Sequence, residues 1–322
     1  KAVNIYKNLL KLFPNDFEVK LNYAESLLWK KDFPAAKTYY ESIIKENDQS
    51  FTALLGYANT LSNLKIYEEA LIHVNKALDL KPGNEGATIS KKYIFLGYAY
   101  QQQQAQNYDE AEHLLKENLN LFENDTATLM NLANLFLIAG KFDDAETTYR
   151  TIAEHTEKKT TGLNGLALIK HLQGKSKEAL SISKDVYLSI PTIKDSTLIE
   201  QTKTRYIQAL IWNKKYKDAK TLIDELNEDQ PNQNWILALR ATLNIYKSDF
   251  KKSVADYNRI LVNDSSSFDG NLGKANALKA IGRFDDAYQS AENTLLFYKK
   301  QKDATNFINN LNTNFTPFWE TN

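Results

Sequence analysis

Residues 51–84, FTALLGYANTLSNLKIYEEALIHVNKALDLKPGN, decide the fold. Leu54, Tyr57, Ala58, Leu61 and Leu64 recur at helical spacing, and so do Ala70, Leu71, Val74, Ala77 and Leu78. The stretch therefore predicts two amphipathic helices, parted at Lys65-Ile66 and closed by Pro82-Gly83. Neither helix can bury its apolar stripe alone, so the unit requires neighbours built the same way.

Copies of the unit run along the chain. The small residue that opens the second helix recurs as Ala2, Ala36, Ala70, Ala111, Ala145, Ala179, Ala219, Ser253 and Ala287. Successive members lie 34 residues apart, except for steps of 41 and 40 that end at Ala111 and Ala219. Most are preceded three residues earlier by an aromatic: Phe33, Tyr67, Tyr108, Phe142, Tyr216, Phe250 or Phe284. A second ladder in the first helix reads Ala24, Ala58, Gly97, Ala133, Ala167, Ala241 and Ala275, broken only at Ile207. Small residues at fixed places let helix axes approach closely, and the aromatics are expected to fill the wedge between them. The spacing resembles the tetratricopeptide repeat (TPR) pattern, W-x2-L-G-x2-Y…A-x3-F…P, with Tyr93, Leu96, Gly97 and Tyr100 as its fullest first half. The resemblance implies an all-α fold, a right-handed superhelical solenoid of helix-turn-helix units.

The array is expected over residues 1–301: a half repeat at 1–16, then repeats starting near 17, 51, 85, 126, 160, 200, 234 and 268. Pro34 falls in the first turn of a second helix, where its missing N–H costs little. Gly140, Gly174 and Gly282 mark turns that need a left-handed residue. The repeat starting at 85 has seven extra residues. Five are assigned to the entry, Glu85–Ile89, and two to a longer turn within the glutamine-rich stretch Gln101–Asn107. Lys194–Ile199 is a further insertion, with Asp195 or Ser196 as the cap of an elongated helix reaching Trp212. Residues 302–322 form a non-repeat tail, or the lead-in to a further domain, with Phe315, Phe318 and Trp319 near its end. The start at Lys1 within a half repeat leads us to expect a mature form or an excised fragment.

The chain has 40 basic and 40 acidic residues, which removes the electrostatic footprint of a nucleic-acid binder. Arg occurs only at 150, 205, 240, 259 and 283, so bidentate phosphate clamps are scarce. The absence of Cys excludes disulfides and thiolate metal sites. No apolar run has the length of a membrane helix. Gly174-Lys175-Ser176 has Ile169 where a phosphate-binding loop needs glycine. The four His residues, 73, 113, 155 and 171, fall in different repeats without ligand spacing. Asp143-Asp144 and Asp285-Asp286 sit in first turns of helices, where negative charge complements the dipole. No nucleophile, base and orienter occur together. The reading is of a non-enzyme without metal or cofactor.

In TPR proteins the first helices line a concave groove through the second, fifth, ninth, twelfth and thirteenth positions of each repeat. Carried over, this implies a partner-binding groove of Trp29, Asn59, Asn63, Asn134, Leu137, Ile138, His171, Gln208, Trp212, Trp235, Tyr246 and Asn276. The ninth-position amides, Asn59, Asn134 and Asn276, can donate and accept to an extended peptide. The aromatics near 212–246 can anchor an apolar side chain or stack on a sugar ring. Thirteenth-position residues such as Trp29 and Trp212 also have packing on the next repeat open to them. The implied function is a scaffold for a protein or peptide partner. A second expectation is the periplasmic repeat region of a bacterial outer-membrane exopolysaccharide exporter, with polysaccharide as a partner and the tail leading into a β-barrel. A third is the regulatory array of an enzyme whose catalytic domain lies elsewhere.

Overall fold

A computed structural model describes residues 2–298. The tail at 302–322, with Phe315, Phe318 and Trp319, lies outside the described residues. Seventeen α-helices run through the described chain as a TPR-like array, and within α1–α7 and within α9–α17 each packs on the next. They form two compact units, Lys1–Leu135 and Phe136–Asn322.

The first unit opens with α1 (Ala2–Leu12). The pairs α2 (Phe17–Trp29) and α3 (Phe33–Glu46), α4 (Phe51–Asn63) and α5 (Tyr67–Leu80), and α6 (Glu85–Gln104) and α7 (Tyr108–Leu121) follow. Helix α8 (Thr126–Ile138) carries the unit boundary. The second unit continues with α9 (Phe142–His155), α10 (Lys159–Leu172), α11 (Ser176–Leu188), α12 (Ser196–Trp212), α13 (Tyr216–Asp229), α14 (Asn234–Tyr246), α15 (Phe250–Asn263), α16 (Phe268–Ala280) and α17 (Phe284–Tyr298).

The small ladders lie in the core. Ala36, Ala70, Ala111, Ala145, Ala179, Ala219 and Ser253 are sealed from solvent, as are Ala24, Ala58, Ala133, Ala167, Ala241 and Ala275. The aromatics that open the second helices are half-buried, but Phe284 is exposed, so it fills no wedge. Ile207, where the ladder breaks, is buried with Leu210, Ile223 and Ile236. A cleft of about 240 Å³ between α11, α12 and α13 opens beside it.

A second size rule joins each pair to the next. A methyl group built on Gly56 would lie 2.4 Å from the Tyr40 hydroxyl. One on Gly165 would lie 2.2 Å from the Tyr149 ring, and one on Gly273 2.2 Å from the Tyr257 ring. In each case a second-helix tyrosine enters the space left by a glycine sixteen residues later. Of the corresponding positions elsewhere, Val74 with Phe95 and Ser183 with Arg205 reverse the sizes, whereas Leu115 with Asn131 and Ile223 with Leu239 are of similar size. At the three tyrosine–glycine contacts the ring takes the volume that the glycine leaves.

The turns within pairs share one geometry. After α4, the N–H of Ile66 donates to Leu61 O (2.9 Å) and that of Lys65 to Ser62 O (3.0 Å), closing the helix with Lys65 at φ 62°. Lys31, Gln106, Lys214 and Ser248 take this left-handed place without glycine, while Gly140, Gly174 and Gly282 take it with one. A side chain there opposes the conformation by about 1–2 kcal/mol.

The glutamine tract corrects one expectation. Helix α6 runs to Gln104, and its turn is only Ala105, Gln106 and Asn107, matching Leu64, Lys65 and Ile66. All seven extra residues therefore extend the helix, seven longer than the 13-residue α4, and none lengthens the turn. Glutamine is a good helix former, and the closing bonds fix the turn length. At the second insertion Asp195 is the cap, accepting from Thr197 N (2.9 Å) and Leu198 N (3.2 Å). A short 3₁₀ turn, Ile190–Thr192, precedes it.

Gly165→Ala should lower unfolding stability by about 1–3 kcal/mol in urea titration, because the Tyr149 ring must move. At Gly86, whose nearest such neighbour lies 3.4 Å away, the same change should be neutral or stabilising by roughly 0.5–1 kcal/mol. Lys65→Gly should raise stability by about 0.5–1 kcal/mol, the relief of the left-handed strain less the entropy of glycine.

Candidate functional site

The residues assigned to the groove fall in both units and behave differently in each. In the first unit, Trp29 ends α2 and is 86% exposed, so it does not pack on the following pair. Asn63 is exposed, and its Nδ2 donates to Asn59 O (2.8 Å), so this amide is engaged by its own helix. Asn59 is half-buried and Asn134 exposed. In the second unit, Leu137 is half-buried, Ile138 exposed, and Asn276 on α16 half-buried.

The remaining five residues belong to α10, α12 and α14. His171 and Trp212 stack face to face, with centroids 3.8 Å apart and planes 2° from parallel. His171 Nδ1 is 2.9 Å from Ser176 Oγ. Trp235 and Tyr246 pack on the core of Ile207, Ile211, Ile236 and Leu243. Gln208 Oε1 accepts from Arg205 Nη1 at 2.9 Å. Three successive first helices thus contribute one half-exposed row of aromatic and amide groups.

Arg205 is the residue that sequence reasoning missed. Its guanidinium carbon lies 5.8 Å over the Trp212 ring. It makes no ion pair among the described residues, and its Nε is shielded from solvent without a protein partner. Burial pulls its pKa down from the usual arginine range to about 10, with Tyr149 opposing the shift. An unpaired cation held in such a setting is costly, and groups of this kind concentrate at functional sites. Trp235 Nε1 is a second shielded donor without a protein partner. The signal for Arg205 was present: Ser183 stands where other repeats place Tyr40, Tyr149 or Tyr257, leaving room for a long side chain.

Burial, with the Arg205 charge second, lowers the pKa of His171. A depressed histidine stabilises the fold fully above its unfolded pKa of about 6.5 and loses that contribution as pH falls toward its folded value. The urea midpoint should therefore drop between about pH 7.5 and pH 5.5, and His171→Gln should drop less. His73, similarly depressed by burial, should keep part of the dependence in that variant. Trp212→Ala should lower the melting temperature by several degrees through loss of the stack, whereas Trp29→Ala should leave it unchanged.

No metal-ligating group of three or more His, Cys, Asp or Glu occurs among the described residues. No described helix is long and apolar enough to cross a membrane.

Residues 30–85 and 102–161 each match a tetratricopeptide repeat family model. No curated protein sequence matches the chain. Among solved structures, the chain is similar to a tetratricopeptide repeat protein from Parabacteroides merdae, with 14% identity and a TM-score of 0.52 over 84% of this chain and 98% of that one. It is also similar to yeast Tom70, with 16% identity and a TM-score of 0.52 over 89% of this chain and 58% of that one. At these identities the likeness establishes the fold. The two matched segments are tetratricopeptide repeats, and the 34-residue period and sequential helix pairing give the described chain a TPR-like fold.

Proposed function

We propose that the chain is a non-catalytic scaffold that takes a protein or peptide partner on the faces of its first helices. Arrays of this family typically mediate protein–protein interaction. The observation that carries the reading is the set on α10, α12 and α14: Trp212 stacks on His171, Gln208 and Trp212 flank Arg205, and Trp235 and Tyr246 pack on the neighbouring core. Rigid aromatic surface with a few unspent donors is what anchors a bound segment. In the first unit, the 86% exposed Trp29 is by itself an available anchor, with the exposed Asn63 further along the same unit. Asn59 and Asn134 are further candidates within the first unit, and Leu137, Ile138 and Asn276 within the second.

A polysaccharide partner is the second reading, because half-exposed indole and imidazole faces also stack on sugar rings. The export role rests on residues 302–322, outside the described residues, and on a β-barrel beyond them.

Selection of a random peptide library on the full chain tests the first reading. The enriched peptides should carry aromatic or aliphatic anchors and bind Trp235→Ala and Gln208→Ala about tenfold more weakly. Helical content and melting temperature serve as fold controls. Undiminished binding to both variants would remove this face as the site. Calorimetry with N-acetylglucosamine and cellulose oligomers separates the readings: binding of sugar, lost in Trp212→Ala, would favour the polymer.

A further inference from the structure

A cleft of about 380 Å³ opens where α13, α14 and α15 meet, away from the aromatic row. Its lining carries Lys220, Arg240, Lys247, Lys252 and Arg259 against Asp224 and Asp256. The chain as a whole is electrically balanced and holds only five arginines, so two of them at one cleft is a local concentration. The charges are not all neutralised internally. Lys220 pairs with Asp224, and Lys252 with Asp249. Lys247 adds a weak pull on Asp249 but makes no ion pair, and neither does Arg259, among the described residues. Both side chains are exposed.

The floor is fixed. Asp256 is 5% exposed and accepts Arg240 Nη2 at 2.7 Å and Nε at 3.1 Å, with Asn244 Nδ2 at 3.3 Å. These bonds hold the guanidinium in one orientation and leave its Nη1 unused by the protein. Ile223, Leu243 and Ala255 give the cleft apolar wall between the cations.

We propose that this cleft binds an acidic peptide segment, with carboxylates taken by Lys247 and Arg259 over the fixed Arg240 and side-chain methylenes lying on Ile223 and Leu243. The cations come from three helices and are spread along the cleft, which suits several carboxylates on one chain better than a single compact anion. The apolar wall has a counterpart in glutamate methylenes and none in inorganic phosphate. The site does not depend on the first-helix face, and either can exist without the other.

Fluorescence anisotropy of the full chain with a labelled alternating Glu-Ala hexapeptide tests it, with the Gln-Ala peptide as control. The acidic peptide should bind, the neutral one should not, and raised salt should weaken the complex. The double variant Lys247→Gln/Arg259→Gln should bind about tenfold more weakly with an unchanged circular-dichroism melt. Lys177→Gln, exposed on α11, and Trp235→Ala, in the aromatic row, should bind as the unsubstituted chain does. Equal binding of the neutral peptide, or full binding by the double variant, would overturn the proposal. Displacement of the labelled peptide by inorganic phosphate as readily as by unlabelled peptide would overturn it too, in favour of a free-anion site.

Discussion

The array holds together because a residue with almost no side chain sits where each second helix crosses its neighbours. Ala36, Ala70, Ala111, Ala145, Ala179 and Ala219 are all sealed from solvent, and so is Ser253. A larger group at such a crossing pushes the axes apart, and a helix pair that cannot close leaves its apolar stripe wet. Among the described residues, the helices in extensive contact are one or two places apart in the chain, so a bad crossing finds little support from elsewhere. The rest of the structure is arranged to reach that crossing at the right angle.

Two devices do so. The closing turn sets where the second helix starts, through a left-handed residue that is tolerated at Lys31, Lys65, Gln106, Lys214 and Ser248 even without glycine. The packing that follows must outweigh about 1–2 kcal/mol of strain at each such turn. The other device is the exchange of volume between successive pairs, tyrosine against glycine at Tyr40 and Gly56, Tyr149 and Gly165, Tyr257 and Gly273. Close packing makes both partners necessary: the ring without its glycine collides, and the glycine without its ring leaves a void.

Where the exchange runs the other way, chemistry appears. Ser183 is small, and the corresponding place on α12 carries Arg205, which lies by Trp212 without an ion pair among the described residues. The same helices bring His171 flat against Trp212 and tie Gln208 to the guanidinium. The second unit therefore concentrates costly groups on one row, while a separate cleft at α13–α15 gathers cations around a rigid Arg240–Asp256 pair. A chain with balanced charge can still present local fields, because side chains distant in sequence come to share one surface.

The sequence by itself determined the helical pairs, their period, the buried ladders and the caps. Each is a local property: an apolar stripe, a small residue at a fixed offset, a capping residue at Asp195 or Ser196 ahead of a helix, of which the structure chose Asp195. The family's positional rule also drew out His171 and Trp212, whose rings stack on each other. Only the tertiary structure decided that the glutamine tract adds helix rather than turn, since hydrogen bonds closing at Gln106 and Asn107 set that boundary. It alone separated the exposed Trp29 from the stacked Trp212, two residues at the same place in their repeats. Burial and charge pairing depend on what the neighbouring helix brings. For that reason Arg205 and the Lys247–Arg259 cleft emerged from contacts between helices and not from any single stretch of the chain.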